Sequence, residues 1–177
     1  NLPKPPTAII GRERERNDIM RFLADTSSRL VTLTGPGGMG KTRLSLEIGH
    51  RLHNRFRDGS FFVDLSPIGD PALVMTTIAH TLGIREGGGR PPFDNLKDYL
   101  ADKEALIILD NLEQVIGVAP LVAQLMAAAP RIKLLATSRI PLQIRGEREY
   151  PLGTLPVPPM ELLPLEVLRE YEVVQLF

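Results

Sequence analysis

Gly35-Pro36-Gly37-Gly38-Met39-Gly40-Lys41-Thr42 fits the pattern G-x-x-x-x-G-K-[ST]. Glycines at this spacing let backbone N–H groups converge on phosphate oxygens, and a helix beginning near Lys41 adds its dipole at the same point. Lys41 would neutralise the terminal phosphates of ATP or ADP, and the Thr42 hydroxyl would ligate Mg²⁺. A matching acid follows downstream, where Leu106-Ile107-Ile108-Leu109 runs into Asp110. A carboxylate closing a buried strand is costly without a partner, and a hydrated Mg²⁺ is a natural one. Thr42 and Asp110 are therefore the expected metal pair.

The group that positions an attacking water is less determined. Asn111 stands directly after Asp110, where many phosphate-loop ATPases place a second acid, and Glu113 lies two further on. Asn111 can orient a water but cannot take its proton. Either Glu113 is the base or hydrolysis is slow, and Glu113 equally suits the start of the next helix. Arg139, in Thr137-Ser138-Arg139, follows a strand that by analogy with other phosphate-loop ATPases would lie between those ending at Gly35 and Asp110; it could then reach a γ-phosphate, and it also suits a surface Arg at a helix start. His50 and His53 stand three apart, but with no further ligand near them they read as a solvated helix face. Arg12, Arg14, Arg16 and Arg21 are interleaved with Glu13, Glu15 and Asp18, which reads as a salt-bridged surface helix and not as a nucleic-acid stripe.

The elements that must hold these residues alternate. A helix is expected over 13–27, then a strand at Leu30-Val31-Thr32-Leu33 feeding the glycine loop. A helix from Lys41 to about Phe56 follows, then a strand at Phe61-Phe62-Val63. Pro71 to Leu82 reads as a helix capped by Asp70, and Arg85 to Pro92 as a surface loop. A short helix is expected over 94–101, a doubly buried strand over 105–109, a helix over 119–128 and a strand over 133–137. A weak fifth strand lies near Tyr150-Pro151-Leu152, and five prolines fall between Pro151 and Pro164. Helical character returns over 161–177. Such alternation implies an α/β fold, a parallel sheet of about five strands with helices on both faces, carrying its ligand at the carboxyl ends of the strands.

Composition narrows the function classes. The 177 residues suit one such domain, and 21 Lys plus Arg against 21 Asp plus Glu leave no net field to draw the segment to nucleic acid or to a membrane. Cysteine is absent, which removes disulfides, zinc thiolates and a cysteine nucleophile and fits a cytoplasmic setting. No run approaches the roughly 20 apolar residues of a membrane helix. The chain opens at Asn1 without Met and stops within a helical stretch at Phe177, which reads as a cut-out domain. Its expected parts are an arm at 1–8, a nucleotide-binding domain at 9–155, and a linker with the start of a further helical domain at 156–177.

Several of these segments, in order, resemble the STAND class, the signal-transduction ATPases with numerous domains. Ile9-Ile10-Gly11-Arg12-Glu13-Arg14-Glu15 is similar to the segment preceding the loop in that class. Leu33 to Leu44, Phe62 to Ser66, Leu109 to Glu113 and Ala136 to Arg139 are similar to its bacterial branch, the LuxR-type and AfsR-type regulators related to NB-ARC ATPases. The resemblance implies a three-layer P-loop fold of the ASCE type, with Ile10 and Arg12 on the adenine side. It implies that Pro36, Gly37, Gly38, Met39, Gly40, Lys41, Thr42 and Arg43 hold nucleotide, that Asp110 is the Walker B acid and that Arg139 is sensor 1. It further implies a slow ATPase cycling between ADP and ATP forms, with C-terminal helical and winged-helix domains as partners and homo-oligomers in the ATP state. Two other functions share the core. A small-molecule phosphotransferase would use Asp64 or Glu113 as base and the loop at 85–92 as a lid, and an interaction module would keep ADP as a structural cofactor.

Overall fold

The structure, a computed structural model, describes residues 1–4, 9–84 and 89–154. Its elements are α1 (Glu13–Ala24), β1 (Leu30–Thr34), α2 (Lys41–Leu52), β2 (Ser60–Asp64), α3 (Val74–Thr81), α4 (Pro92–Leu100), β3 (Leu106–Asp110), α5 (Ala119–Ala128), β4 (Lys133–Ser138) and β5 (Glu147–Pro151). The strands form one parallel sheet in the order β2-β3-β4-β1-β5. β4, which ends at Ser138 just before Arg139, lies between β1 and β3, as expected by analogy with other phosphate-loop ATPases.

Period-two alternation sends each strand's side chains to two separate cores. Val31, Leu33, Leu106, Ile108 and Leu135 pack against Ile19 and Leu23 of α1 and against Leu44, Ile48 and Leu52 of α2. Leu30, Ile107, Leu109, Leu134 and Ala136 face the other way, onto α3, α4 and α5. Each fully buried Leu or Ile contributes about 1.5–3 kcal/mol by leaving water. Gly49 lets α2 approach β3 closely, since a Cβ there would meet the Ile108 Cδ1 at 2.6 Å.

The structure differs from the sequence reading mainly at element ends. α1 stops at Ala24, and α2 stops at Leu52 with a 3₁₀ turn over His53–Arg55. Asp70 caps as expected, accepting from the Ala72 N–H at 2.9 Å, but it caps a 3₁₀ turn at Pro71–Leu73 that precedes α3. α4 begins at Pro92, whose fixed φ suits a first helical turn. The 161–177 helix and the 85–88 part of the expected loop lie outside the described residues.

The two histidines are not simply a solvated face. A ring nitrogen of His50 meets the Pro3 carbonyl at 2.9 Å, and His53 Nδ1 accepts from the Ser60 N–H at 3.1 Å, which ties the α2 turn to β2. Arg12 likewise leaves the expected surface stripe. It precedes α1 with φ 65° and is buried, while Arg21 does pair with Asp18 at 2.7 Å on the helix surface.

Candidate functional site

β1 ends at Thr34 and α2 begins at Lys41, so the glycine loop occupies the carboxyl edge of the sheet's interior. The loop's shape depends on glycine at both ends. Gly35 has φ 142°, and a Cβ there would stand 2.9 Å from the Leu152 carbonyl oxygen, a backbone atom that cannot step aside. Gly38 and Gly40 have φ near 80°, and a Cβ at either would meet nothing within 4 Å, so the loop's face is open where a phosphate would enter.

Lys41 is buried, and its Nζ donates to the Gly35 and Pro36 carbonyls at 2.7 and 2.8 Å. Those partners carry only partial charges, which leaves the ammonium free to exchange them for an anion. Thr42 Oγ1 lies 2.9 Å from both oxygens of Asp110. Arg43 is half-buried in the first turn of α2. Asp110 itself is buried, and that desolvation pushes its carboxyl above the ordinary value. The Thr137 and Thr42 hydroxyls oppose the rise, and the nearby Asp64 and Glu113 charges add to it. A buried anion facing a hydroxyl at a helix start, below an open loop with a cation, suits Mg²⁺ and a nucleotide phosphate.

Thr137, at the end of β4, donates to Asp110 Oδ1 at 2.5 Å and accepts from the Asn111 N–H at 3.0 Å. In the sequence Thr137 belongs to no motif that assigns it a role. Its signal is only that a hydroxyl residue ends a strand adjacent to the one carrying the acid. Asn111 has φ 63°, a conformation that Asn tolerates, and its amide donates to Ser66 Oγ at 2.8 Å after β2. The side chain is thus engaged at the turn.

Glu113 and Arg139 meet, with Arg139 Nε 3.3 Å from Glu113 Oε1. The other Glu113 oxygen is buried without a hydrogen-bond partner among the described residues. Arg139 is mostly exposed, and its guanidinium comes within 3.9 Å of the Cβ position at Gly37. It therefore spans from Glu113 to the loop. Arg12 joins the other flank, donating to Glu15 at 2.8 Å and to the Gly153 carbonyl at 2.7 Å, with the Met39 carbonyl at 3.5 Å. Ile10 is half-buried two residues before it. The contribution of Leu152 and Gly153 was not legible in the sequence, because no motif marks a residue that acts through its carbonyl.

A family model described as an AAA domain matches residues 24–149. A Mycobacterium tuberculosis protein named as a candidate HTH-type transcriptional regulator is 41% identical over 121 residues, which is 68% of this chain and 14% of that protein. This chain thus spans about one seventh of that relative's length. Among solved structures, Cdc6p of Pyrobaculum aerophilum is similar with a TM-score of 0.60 at 18% identity, covering 79% of this chain and 41% of that one. A STAND protein with a tetratricopeptide repeat sensor from Pyrococcus horikoshii has a TM-score of 0.50 at 18% identity, covering 88% and 24%. These two likenesses concern the fold, a parallel α/β sheet of the P-loop kind.

Proposed function

This chain belongs to the AAA domain family of P-loop ATPases, and from that membership we propose that it is the nucleotide switch of a larger regulator, with residues 9–155 as the switch domain. The observation that carries the reading is the joint arrangement of Lys41 on the loop, Thr42 on Asp110 and Arg139 between Glu113 and Gly37. Lys41 and the loop N–H groups would hold the phosphates, with Pro36, Gly37, Gly38, Met39, Gly40 and Arg43 around them. Thr42 and Asp110 would hold Mg²⁺, which when bound supplies charge neutralisation to the phosphates. Ile10 and Arg12 would border the base.

In this reading Glu113 is the base. Asn111 is engaged with Ser66, whereas Glu113 has one oxygen without a hydrogen-bond partner among the described residues and the other on a cation. While Arg139 holds Glu113, Oε1 faces the guanidinium and not a water. A γ-phosphate competing for the same guanidinium would release it, so Arg139 would sense ATP and free Glu113 to orient and deprotonate water in one motion. Hydrolysis gated in this way is slow. The output would belong to parts of a longer protein, as the named relative's helix-turn-helix description suggests. Helical and winged-helix neighbours and assembly in the ATP state are the corresponding partners.

Calorimetric titration with Mg-ADP and Mg-ATP, together with phosphate release, tests this. Lys41→Ala should lose both nucleotides. Arg139→Ala should weaken ATP about tenfold or more with a smaller effect on ADP, since one charge-assisted bond is at stake. Glu113→Gln should keep binding and slow turnover about a hundredfold. Equal losses of ATP and ADP in Arg139→Ala would remove the sensor, and wild-type turnover in Glu113→Gln would remove the base.

A further inference from the structure

At the opposite end of the sheet, the chain entering β1, β3 and β4 encloses a cleft of about 420 Å³. Arg29 precedes β1, Lys133 opens β4, Arg131 stands two residues before it, and Arg55 closes the turn after α2. Among the described residues Glu104 is the single acid of the lining, so four cations face one carboxylate in a chain whose 21 basic and 21 acidic residues balance as a whole. Leu52 and Phe56 form an apolar wall beside them.

The two inner cations are fixed in place without a full counter-charge. Arg29 donates to the carbonyls of Met126 and of Ala129, the latter at 2.6 Å, where α5 ends. Lys133 Nζ donates to the Asp25 carbonyl and to the Ser28 carbonyl, the latter at 2.6 Å, after α1. Carbonyls at helix ends carry only fractional charge, so a net positive field remains. Burial lowers the pKa of both groups, for Lys133 in spite of the Asp25 charge, as is expected of charges short of a partner. Arg29 Nε is also buried with no hydrogen-bond partner among the described residues. At the rim, Arg131 reaches Asp102 at 3.2 Å, but that aspartate is almost fully exposed and screens weakly.

We propose that this cleft binds an acidic peptide segment of a partner protein, with its carboxylates at Arg29, Arg55 and Lys133 and an apolar side chain against Leu52 and Phe56. Positive charge beside an apolar wall in a concave site matches a peptide that alternates acidic and apolar residues. A nucleic-acid backbone would call for an extended basic stripe, which the pairing of Arg21 with Asp18 on neighbouring α1 interrupts. The cleft lies at the end of the sheet away from the glycine loop, so the proposal stands independently of the nucleotide reading.

Fluorescence anisotropy on the whole chain tests it, with labelled Glu-Leu-Glu-Glu-Phe-Glu, the same peptide with Gln for Glu, and a single-stranded oligonucleotide of about 20 nucleotides. The acidic peptide should bind about tenfold or more tightly than its Gln counterpart, and more weakly as salt rises. Arg55→Glu with Arg131→Glu, both at exposed sites, should lower its affinity about tenfold or more while leaving phosphate release from ATP unchanged. Should that double variant fail to fold, Arg55→Ala alone must still weaken the peptide several-fold. Equal binding of the two peptides, an unchanged affinity in either variant, or preferred binding of the oligonucleotide through the same arginines would each overturn the proposal.

Discussion

Asp110 is held by two hydroxyls from different elements, Thr42 from α2 and Thr137 from β4, yet burial still pushes its carboxyl above the ordinary 3.8. The folded state then binds this proton more tightly than the unfolded chain. As pH rises from the ordinary value through the raised one, the unfolded state loses its proton first and stability falls, and at neutral pH the charged form remains a cost. Asp110→Asn removes that charge and keeps an acceptor for Thr137. The nucleotide-free protein should melt higher at pH 7 in the variant, each kcal/mol relieved raising the midpoint by about 2–4 °C, while Mg-dependent nucleotide binding is lost. A lower midpoint in calorimetry would show that Asp110 supports the apo fold instead of straining it. On the proposed role of Asp110 in holding Mg²⁺, function at this residue would oppose stability, as at other sites built to receive a ligand.

β5 shows how an element with little propensity of its own can position a site. Its sequence, Glu147-Arg148-Glu149-Tyr150-Pro151, is charged on an edge and ends in proline, both of which discourage further strand pairing. It is held by side chains: Glu147 accepts from the N–H groups of Leu142 at 2.9 Å and Gln143 at 2.7 Å, Thr34 donates to Glu149 at 2.7 Å, and Arg148 lies 3.8 Å over the Phe22 ring. β5 also delivers Leu152 to Gly35 and Gly153 to Arg12. Glu147→Ala should therefore cost about 1–3 kcal/mol in urea unfolding, by leaving two turn N–H groups unpaired, and should weaken ADP as well. Destabilisation with unchanged ADP affinity would uncouple the strand from the loop. This element also marks the limit of what the sequence reveals. β3 was legible because five apolar-to-acid residues buried on both faces need no partner to be recognised, and α2 because Leu44, Ile48 and Leu52 repeat at helical spacing. Only the end of β5 is legible, at Tyr150 and Pro151, and its start at Glu147 is not, since the strand is set by pairing with β1, distant in sequence. The same holds within the site. Lys41, Thr42 and Asp110 are marked by local pattern, whereas the ties of Thr137 to Asp110, Asn111 to Ser66 and Arg12 to Gly153 exist only once the sheet order is set.

Across the whole molecule, the parallel sheet separates two chemistries. Its carboxyl edge carries the glycine loop with Asp110 and Glu113, and its amino edge carries the cationic cleft, although the total charge is zero. The two cores lie on opposite faces of the sheet, and β1, β3 and β4 contribute buried side chains to both, so these strands can transmit stabilisation between them. Ile78 on α3 sits in the core of the face away from α2, 1% exposed. Ile78→Ala should cost about 2–5 kcal/mol through lost burial and the cavity left behind. If the domain unfolds as one unit, Mg-ADP at a hundred times its Kd should restore about 2.7 kcal/mol of that loss, because ligand bound at the loop stabilises every residue whose unfolding abolishes the site. Urea unfolding followed by circular dichroism, with and without Mg-ADP, decides it. Full restoration in the variant means that the strands join both faces into one cooperative body. Stabilisation of the wild type with none in Ile78→Ala would mean that the α3–α5 face opens while the loop stays folded, and that nucleotide then governs only the α1–α2 half.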